Sequence, residues 1–98
     1  MAVLANRKVK AELDEIWSYI ATESGSTDIA DRVVDAITDL FPQLGKHPQL
    51  GRPRDDLRPG LRSITTGSYV VVYRIENSNI RILHVVHGRR DLRAAIRQ

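Results

Sequence analysis

The chain contains no cysteine, which removes disulfides, thiolate catalysis and cysteine-ligated metal from consideration. No run approaches the roughly 18 apolar residues of a membrane-spanning helix. The opening Met-Ala-Val-Leu-Ala-Asn-Arg-Lys-Val-Lys lacks the apolar stretch of a secretory leader. There are no repeats and no low-complexity tail. The three histidines, at 47, 84 and 87, match no familiar metal spacing, and no carboxylate pair completes a set. No metal, no cofactor and no membrane are therefore expected, and the default is a soluble cytoplasmic protein.

What is present is one domain, residues 1–98, with 42% apolar and 28% charged residues, ordinary for a globular chain. The net charge of +3 is unevenly placed. Residues 1–45 hold 4 Lys/Arg against 8 Asp/Glu, a net of −4; residues 46–98 hold 11 against 4, a net of +7. Ten of those 11 cations are Arg, which favours forked contacts to carboxylate or phosphate. An acidic partner for the second half is one reading. The plainer one is that arginines solvate one face of a sheet.

Val3-Leu4 suggests a very short first strand. From Arg7 the apolar residues fall at helical spacing: Val9, Leu13, Ile16, Trp17 and Ile20 form one stripe. Glu12, Asp14 and Glu15 lie mostly elsewhere. Asn6 is placed to cap this helix and Gly25 to stop it. A second helix starts at Ser26 or Thr27, with Asp28 and Asp31 near its positive end. It carries Ile29, Val33, Ile37, Leu40, Phe41 and Leu44. Pro42 predicts a kink or an early end near Phe41, with Gly45 as the last stop. Residues 45–60, with three prolines and three glycines, read as a connector without regular structure.

Three β-branched runs follow: Leu61–Thr66, Tyr69–Ile75 and Ile80–Val86, separated by Gly67-Ser68 and Asn77-Ser78-Asn79. Breaks this short join antiparallel neighbours. Strict alternation groups Tyr69, Val71, Tyr73 and Ile75, and likewise Ile80, Ile82, His84 and Val86, with Leu83, Val85 and His87 opposite. Asp91–Gln98 is a short C-terminal helix. The expected fold class is α+β: a two-helix antiparallel hairpin packed on a small antiparallel β-sheet, a three-strand meander plus the possible N-terminal strand. The other sheet face is expected to stay partly open.

The segments Leu-Asp-Glu-Ile-Trp-Ser-Tyr-Ile-Ala at 13–21, Leu-Gly-Arg-Pro-Arg at 50–54, Leu-Arg-Pro-Gly-Leu-Arg at 57–62 and His-Gly-Arg-Arg-Asp at 87–91 resemble the ParE branch of the RelE/ParE toxins. The resemblance runs over nearly the whole chain; Pro42 and the thin first strand depart from the usual pattern. It implies a toxin neutralised by a ParD-like antitoxin in a hetero-oligomer. DNA gyrase is the implied target in the ParE branch, whereas RelE relatives cut messenger RNA on the ribosome. A member that has lost toxicity and only binds its antitoxin is a third possibility.

RNA cleavage needs a group to activate the 2′-hydroxyl and others to stabilise charge and protonate the leaving group. The available set would be Arg62, Arg74 and His87. No Lys or Tyr follows Tyr73, and RelE-type sets usually use such residues, so no catalytic residue is expected. His84 reads as a satisfied core or edge histidine. Arg58, Arg62, Arg89, Arg90 and Arg93 are the expected target-binding residues. Asp91 also has a structural reading as a helix cap with an Arg paired to a carboxylate. An apolar surface including Leu13, Trp17, Ile37 and Phe41 is expected to receive the antitoxin.

Overall fold

A computed structural model describes residues 1–96. Arg97 and Gln98, the end of the segment assigned to the C-terminal helix, lie outside the described residues. The elements run β1 (Val3–Ala5), α1 (Arg7–Ser24), α2 (Thr27–Thr38), α3 (Leu40–Lys46), β2 (Arg52–Pro53), β3 (Leu61–Thr66), β4 (Tyr69–Glu76), β5 (Asn79–His87) and α4 (Leu92–Ile96). The strands form one sheet in the order β1-β5-β4-β3-β2.

The α+β class and the β3–β4–β5 meander are as the sequence predicts, but the sheet is larger and mixed. Val3–Ala5 pairs parallel to Ile80–Ile82, so the N-terminal strand is real and not antiparallel. Arg52–Pro53 adds a second edge within the supposedly irregular connector, opposite Ser63 and Arg62. Proline is tolerated there because an edge strand leaves its missing N–H unneeded. The Asn77-Ser78 turn takes positive φ at both residues, 50° and 66°, which matches the right-handed twist of a two-residue hairpin.

The helices begin and end for local reasons. Ser26 Oγ accepts the Ile29 N–H at 3.2 Å, and Gly25 closes α1 in the left-handed region at φ 69°. Asn6 stands at the start of α1 without a side-chain cap bond. The expected disturbance at Pro42 takes a different form. The helix breaks at Asp39, and Pro42 falls in the first turn of α3, where no intrahelical partner awaits its nitrogen.

Val9, Ile16, Ile37 and Leu44 from the helices meet Tyr69, Val71, Tyr73, Ile80, Ile82 and Val85 in the main core. Val85 is there because the ladder is irregular. His84 lies opposite Val72 and Ile82 opposite Tyr73, leaving Leu83 as an extra residue. This bulge moves the helix-facing position from even to odd numbers. Strict alternation puts Val85 on the wrong face. The second sheet face is partly open, as expected: Leu61, Val70 and Val72 are covered by Ile96, with Leu57, Leu83 and Leu92 packed alongside, while Arg74 further along β4 is exposed.

The connector is also ordered. Tyr73, fully buried, donates its hydroxyl hydrogen to Pro48 O at 2.7 Å and accepts the Gly51 N–H at 2.8 Å. A side chain at residue 51 would come within 2.7 Å of the Tyr73 ring, so only glycine fits.

Candidate functional site: a cleft beside the Arg89–Arg90 turn

A cleft of about 950 Å³ opens between the helical hairpin and the end of the sheet where β5 stops. Ile16, Tyr19 and Ile20 of α1 and Val33 of α2 form its apolar wall. Tyr69, Val85, Val86 and His87 form the sheet side, and Arg89 and Arg90 stand at the rim. Tyr19 is well exposed, at 61%. β1 covers β5 only at residues 80–82, so Val85–His87 reach the cleft without a neighbouring strand on that side.

Glu12 fixes the floor. One helical turn from both Val9 and Ile16, it lies on the buried stripe of α1 and is itself buried. Its Oε1 accepts the Val85 N–H at 3.0 Å, and its Oε2 lies 3.3 Å from His84 Nδ1. Glu12 therefore satisfies the donor that the bulge turns outward and ties α1 to β5. His84 is the satisfied core histidine expected, whereas Glu12 escapes the sequence reading. Its signal was the i+3 and i−4 spacing to Val9 and Ile16.

His87 ends β5 differently. It is exposed, with its ring packed edge-on to Tyr69 at 5.4 Å and 81°. Its Nδ1 accepts the Arg89 backbone N–H at 3.1 Å. Its carbonyl accepts the Arg90 N–H at 2.9 Å, and Gly88 N–H donates to Ser68 O at 2.7 Å. Arg89 and Arg90 are exposed and make no side-chain hydrogen bond or ion pair among the described residues. Burial, with a smaller contribution from Tyr19, raises the Tyr69 hydroxyl above its ordinary pKa.

The other sequence-selected arginines are engaged elsewhere. Arg62 Nε donates to Gly51 O at 2.9 Å, holding the connector to β3. Arg74 Nε meets Glu76 Oε2 at 2.7 Å, and Arg81 approaches Oε1 of the same carboxylate at 3.6 Å. Arg58 Nη2 reaches Ile96 O at 3.4 Å. Arg54 makes a two-pronged pair with Asp56, both bonds at 3.1 Å. Those bonds are the main reason the Asp56 carboxyl is held below its usual pKa, with Arg93 adding a minor electrostatic contribution. Asp91 Oδ1 accepts the Arg93 N–H at 3.0 Å, the cap expected of it.

The five arginines expected at a target surface thus divide. Arg58 and Arg93 gather around α4, Arg89 and Arg90 border the cleft, and Arg62 is a structural tie. Nor do Arg62, Arg74 and His87 converge. Arg62 faces Tyr73 across the ladder, Arg74 is on the opposite pleat, and His87 is opposite Tyr69. Five residues along β4 separate the levels of Arg74 and His87, roughly 17 Å at the rise of a strand.

Of the four apolar residues assigned to antitoxin binding, Leu13 and Phe41 are half-buried against the core. Trp17 is half-buried and donates its indole N–H to Asp31 at 2.8 Å. Ile37 is fully enclosed. Tyr19, Ile20, Val33 and Val86, which line the cleft, are the residues that sequence reasoning did not select.

The model of the ParE toxin of type II toxin–antitoxin systems (parDE) matches residues 3–92. This chain belongs to the ParE toxin family. Toxin ParE3 of Caulobacter vibrioides is 33% identical over 94 residues, covering 96% of this chain and 93% of that one. Toxin ParE1 of the same organism is 35% identical over 91 residues, covering 91% of each. Among solved structures, the chromosomal ParDE toxin–antitoxin system of P. aeruginosa superposes with a TM-score of 0.78 at 25% identity, covering 89% of this ParE chain and 95% of that one. The isolated E. coli RelE toxin shares the fold, with a TM-score of 0.61 at 10% identity over 98% of this chain and 95% of that one. Among the described residues, no helix is long and apolar enough to cross a membrane.

Proposed function

We propose that this ParE toxin acts in the cytoplasm by binding DNA gyrase, without chemistry of its own, and that a ParD-like antitoxin neutralises it in a hetero-oligomer. The observation that carries the reading is the contrast among its arginines. Arg89 and Arg90 project from a hydrogen-bonded turn with their guanidinium groups uncommitted among the described residues, while Arg62 and Arg74 are bound to partners within the chain. Uncommitted, fixed arginines suit recognition of acidic surfaces. Arg58 and Arg93 would extend that surface along α4. The scatter of Arg62, Arg74 and His87 speaks against the ribonuclease alternative, because acid–base cleavage needs its groups within hydrogen-bond reach of one phosphodiester.

The antitoxin would lay an apolar segment along the helical hairpin, meeting Leu13, Trp17 and Phe41 with Ile37 supporting from beneath. Its acidic residues would meet the basic half. The deciding experiment is supercoiling by purified gyrase with and without this protein, beside a ribosome-dependent messenger-RNA cleavage assay. Inhibited supercoiling with accumulated cleaved DNA is expected. Transcript cleavage would overturn the reading, and silence in both from a folded protein would leave an antitoxin-binding module.

A further inference from the structure

We infer that His87 is a protonation-sensitive positioning residue for the Arg89–Arg90 turn, holding both arginines in place only while its imidazole is neutral. The functional consequence rests on the reading above, that this turn engages the target; the structural one does not. The observation is the hydrogen bond from the Arg89 backbone N–H to His87 Nδ1 at 3.1 Å. A ring nitrogen accepts only when it carries no proton, so this bond selects the neutral imidazole with its hydrogen on Nε2. Protonation of Nδ1 sets two donors against each other, and an imidazolium offers no second acceptor to which the amide can turn.

The surroundings give the change a direction. Edge packing on Tyr69 fixes the ring, while the bonds from Arg90 N–H to His87 O and from Gly88 N–H to Ser68 O anchor the flanks. Of the three bonds that shape the turn, only the one to Nδ1 changes when the ring gains a proton. The ionisable groups around the ring are Tyr69 on β4, Arg89 and Arg90 on its own turn, and, bordering the same cleft, Glu12, Glu15 and Tyr19 on α1 and Arg32 on α2. Of these side-chain types, imidazole is the one that ordinarily changes charge between about pH 5 and 8. The turn is therefore held while the His87 ring is neutral and released when Nδ1 gains a proton.

The test follows the full chain by NMR from about pH 7.5 to about pH 5.5, reading the His87 ring nitrogens and the Arg89 amide. Both should move along one titration curve, with the protection of the Arg89 amide, relative to the intrinsic exchange rate at each pH, falling about fivefold at the acid end, as loss of one hydrogen bond implies. An Arg89 amide that stays still while His87 titrates overturns the inference. His87→Asn places a carbonyl oxygen near the position of Nδ1, an acceptor that does not titrate. In that variant the protection of the Arg89 amide should be level with pH; retention of the wild-type curve would assign the effect elsewhere and sink the idea. In the supercoiling assay, wild-type inhibition should weaken about fivefold over the same range while His87→Asn stays level; parallel loss in both proteins overturns the coupling to function. If the wild type inhibits at no pH, the gyrase reading fails, and the NMR arms alone decide the role of His87.

Discussion

The two ends of the sheet carry the same kind of residue in opposite conditions. At the end where β4 turns into β5, Arg74 and Arg81 face each other directly across the ladder. Such a like-charge pair is unfavourable, and Glu76 offsets it by contacting both. Nearby, Arg62 is spent on the Gly51 carbonyl. At the other end, Arg89 and Arg90 follow a tightly bonded turn and bind nothing else among the described residues. A basic half of +7 is thus not a uniformly basic surface. What distinguishes a recognition arginine from a structural one is whether its donors are already used.

The sharpest way to break this comparison is to remove each set in turn. Arg89→Ala with Arg90→Ala should lower gyrase inhibition by a factor on the order of 100, as loss of two interface anchors implies. Unfolding free energy should move by less than about 0.5 kcal/mol. A folded double variant with full inhibition would return the two ends to equal standing. Glu12→Ala should act in the opposite manner, costing about 1–3 kcal/mol in urea unfolding, because the buried Val85 N–H loses its acceptor. Arg62→Ala should cost about 1 kcal/mol and leave inhibition nearly unchanged, separating a structural tie from a contact. Arg74→Ala should cost no more than about 0.5 kcal/mol, since an exposed ion pair contributes little.

The smallest effect concerns Tyr69, on the wall of the cleft. Its hydroxyl is raised in the folded state, chiefly by burial. The sign is fixed by linkage: the neutral form is favoured on folding, so this contribution is complete below the unfolded tyrosine value of about 10 and lost as pH rises beyond it. Urea unfolding measured on both sides of that value should show the decline, and Tyr69→Phe should flatten it. A variant with undiminished pH dependence would assign the loss to other groups.

The chain's periodicities foretell most of this architecture. Local signals carry it: the stripe from Val9 to Ile20, the Ser26 cap, the Gly25 stop, and turns at Gly67-Ser68 and Asn77-Ser78. The features that alternation and spacing miss are the ones set by distant neighbours. Nothing in Ile-Leu-His-Val-Val marks Leu83 as the extra residue, because both faces of that run are apolar. The parallel pairing of Val3–Ala5 depends on a strand at the far end of the chain. Arg62 and Arg89 look alike as letters, and only the position of Gly51 makes one of them structural. The exposed turn at 87–91 was legible as a place of interest, while the cleft beside it is a product of how the helices sit on the sheet.

The parallel edge strand has a consequence for timing. Val3–Ala5 precedes its partner, Ile80–Ile82, along the chain and can pair with it only when β5 has been synthesised. The main core draws on Val9 from the start of α1 and on Val85 from β5, so its closure waits as well. At typical synthesis rates of about 5–20 residues per second, several seconds separate the two strands. During that interval the sheet cannot be completed, and the Arg89–Arg90 turn has not yet been made. Neither the completed sheet nor the closed core can therefore exist before Ile80–His87 has been made, however early the helices are available.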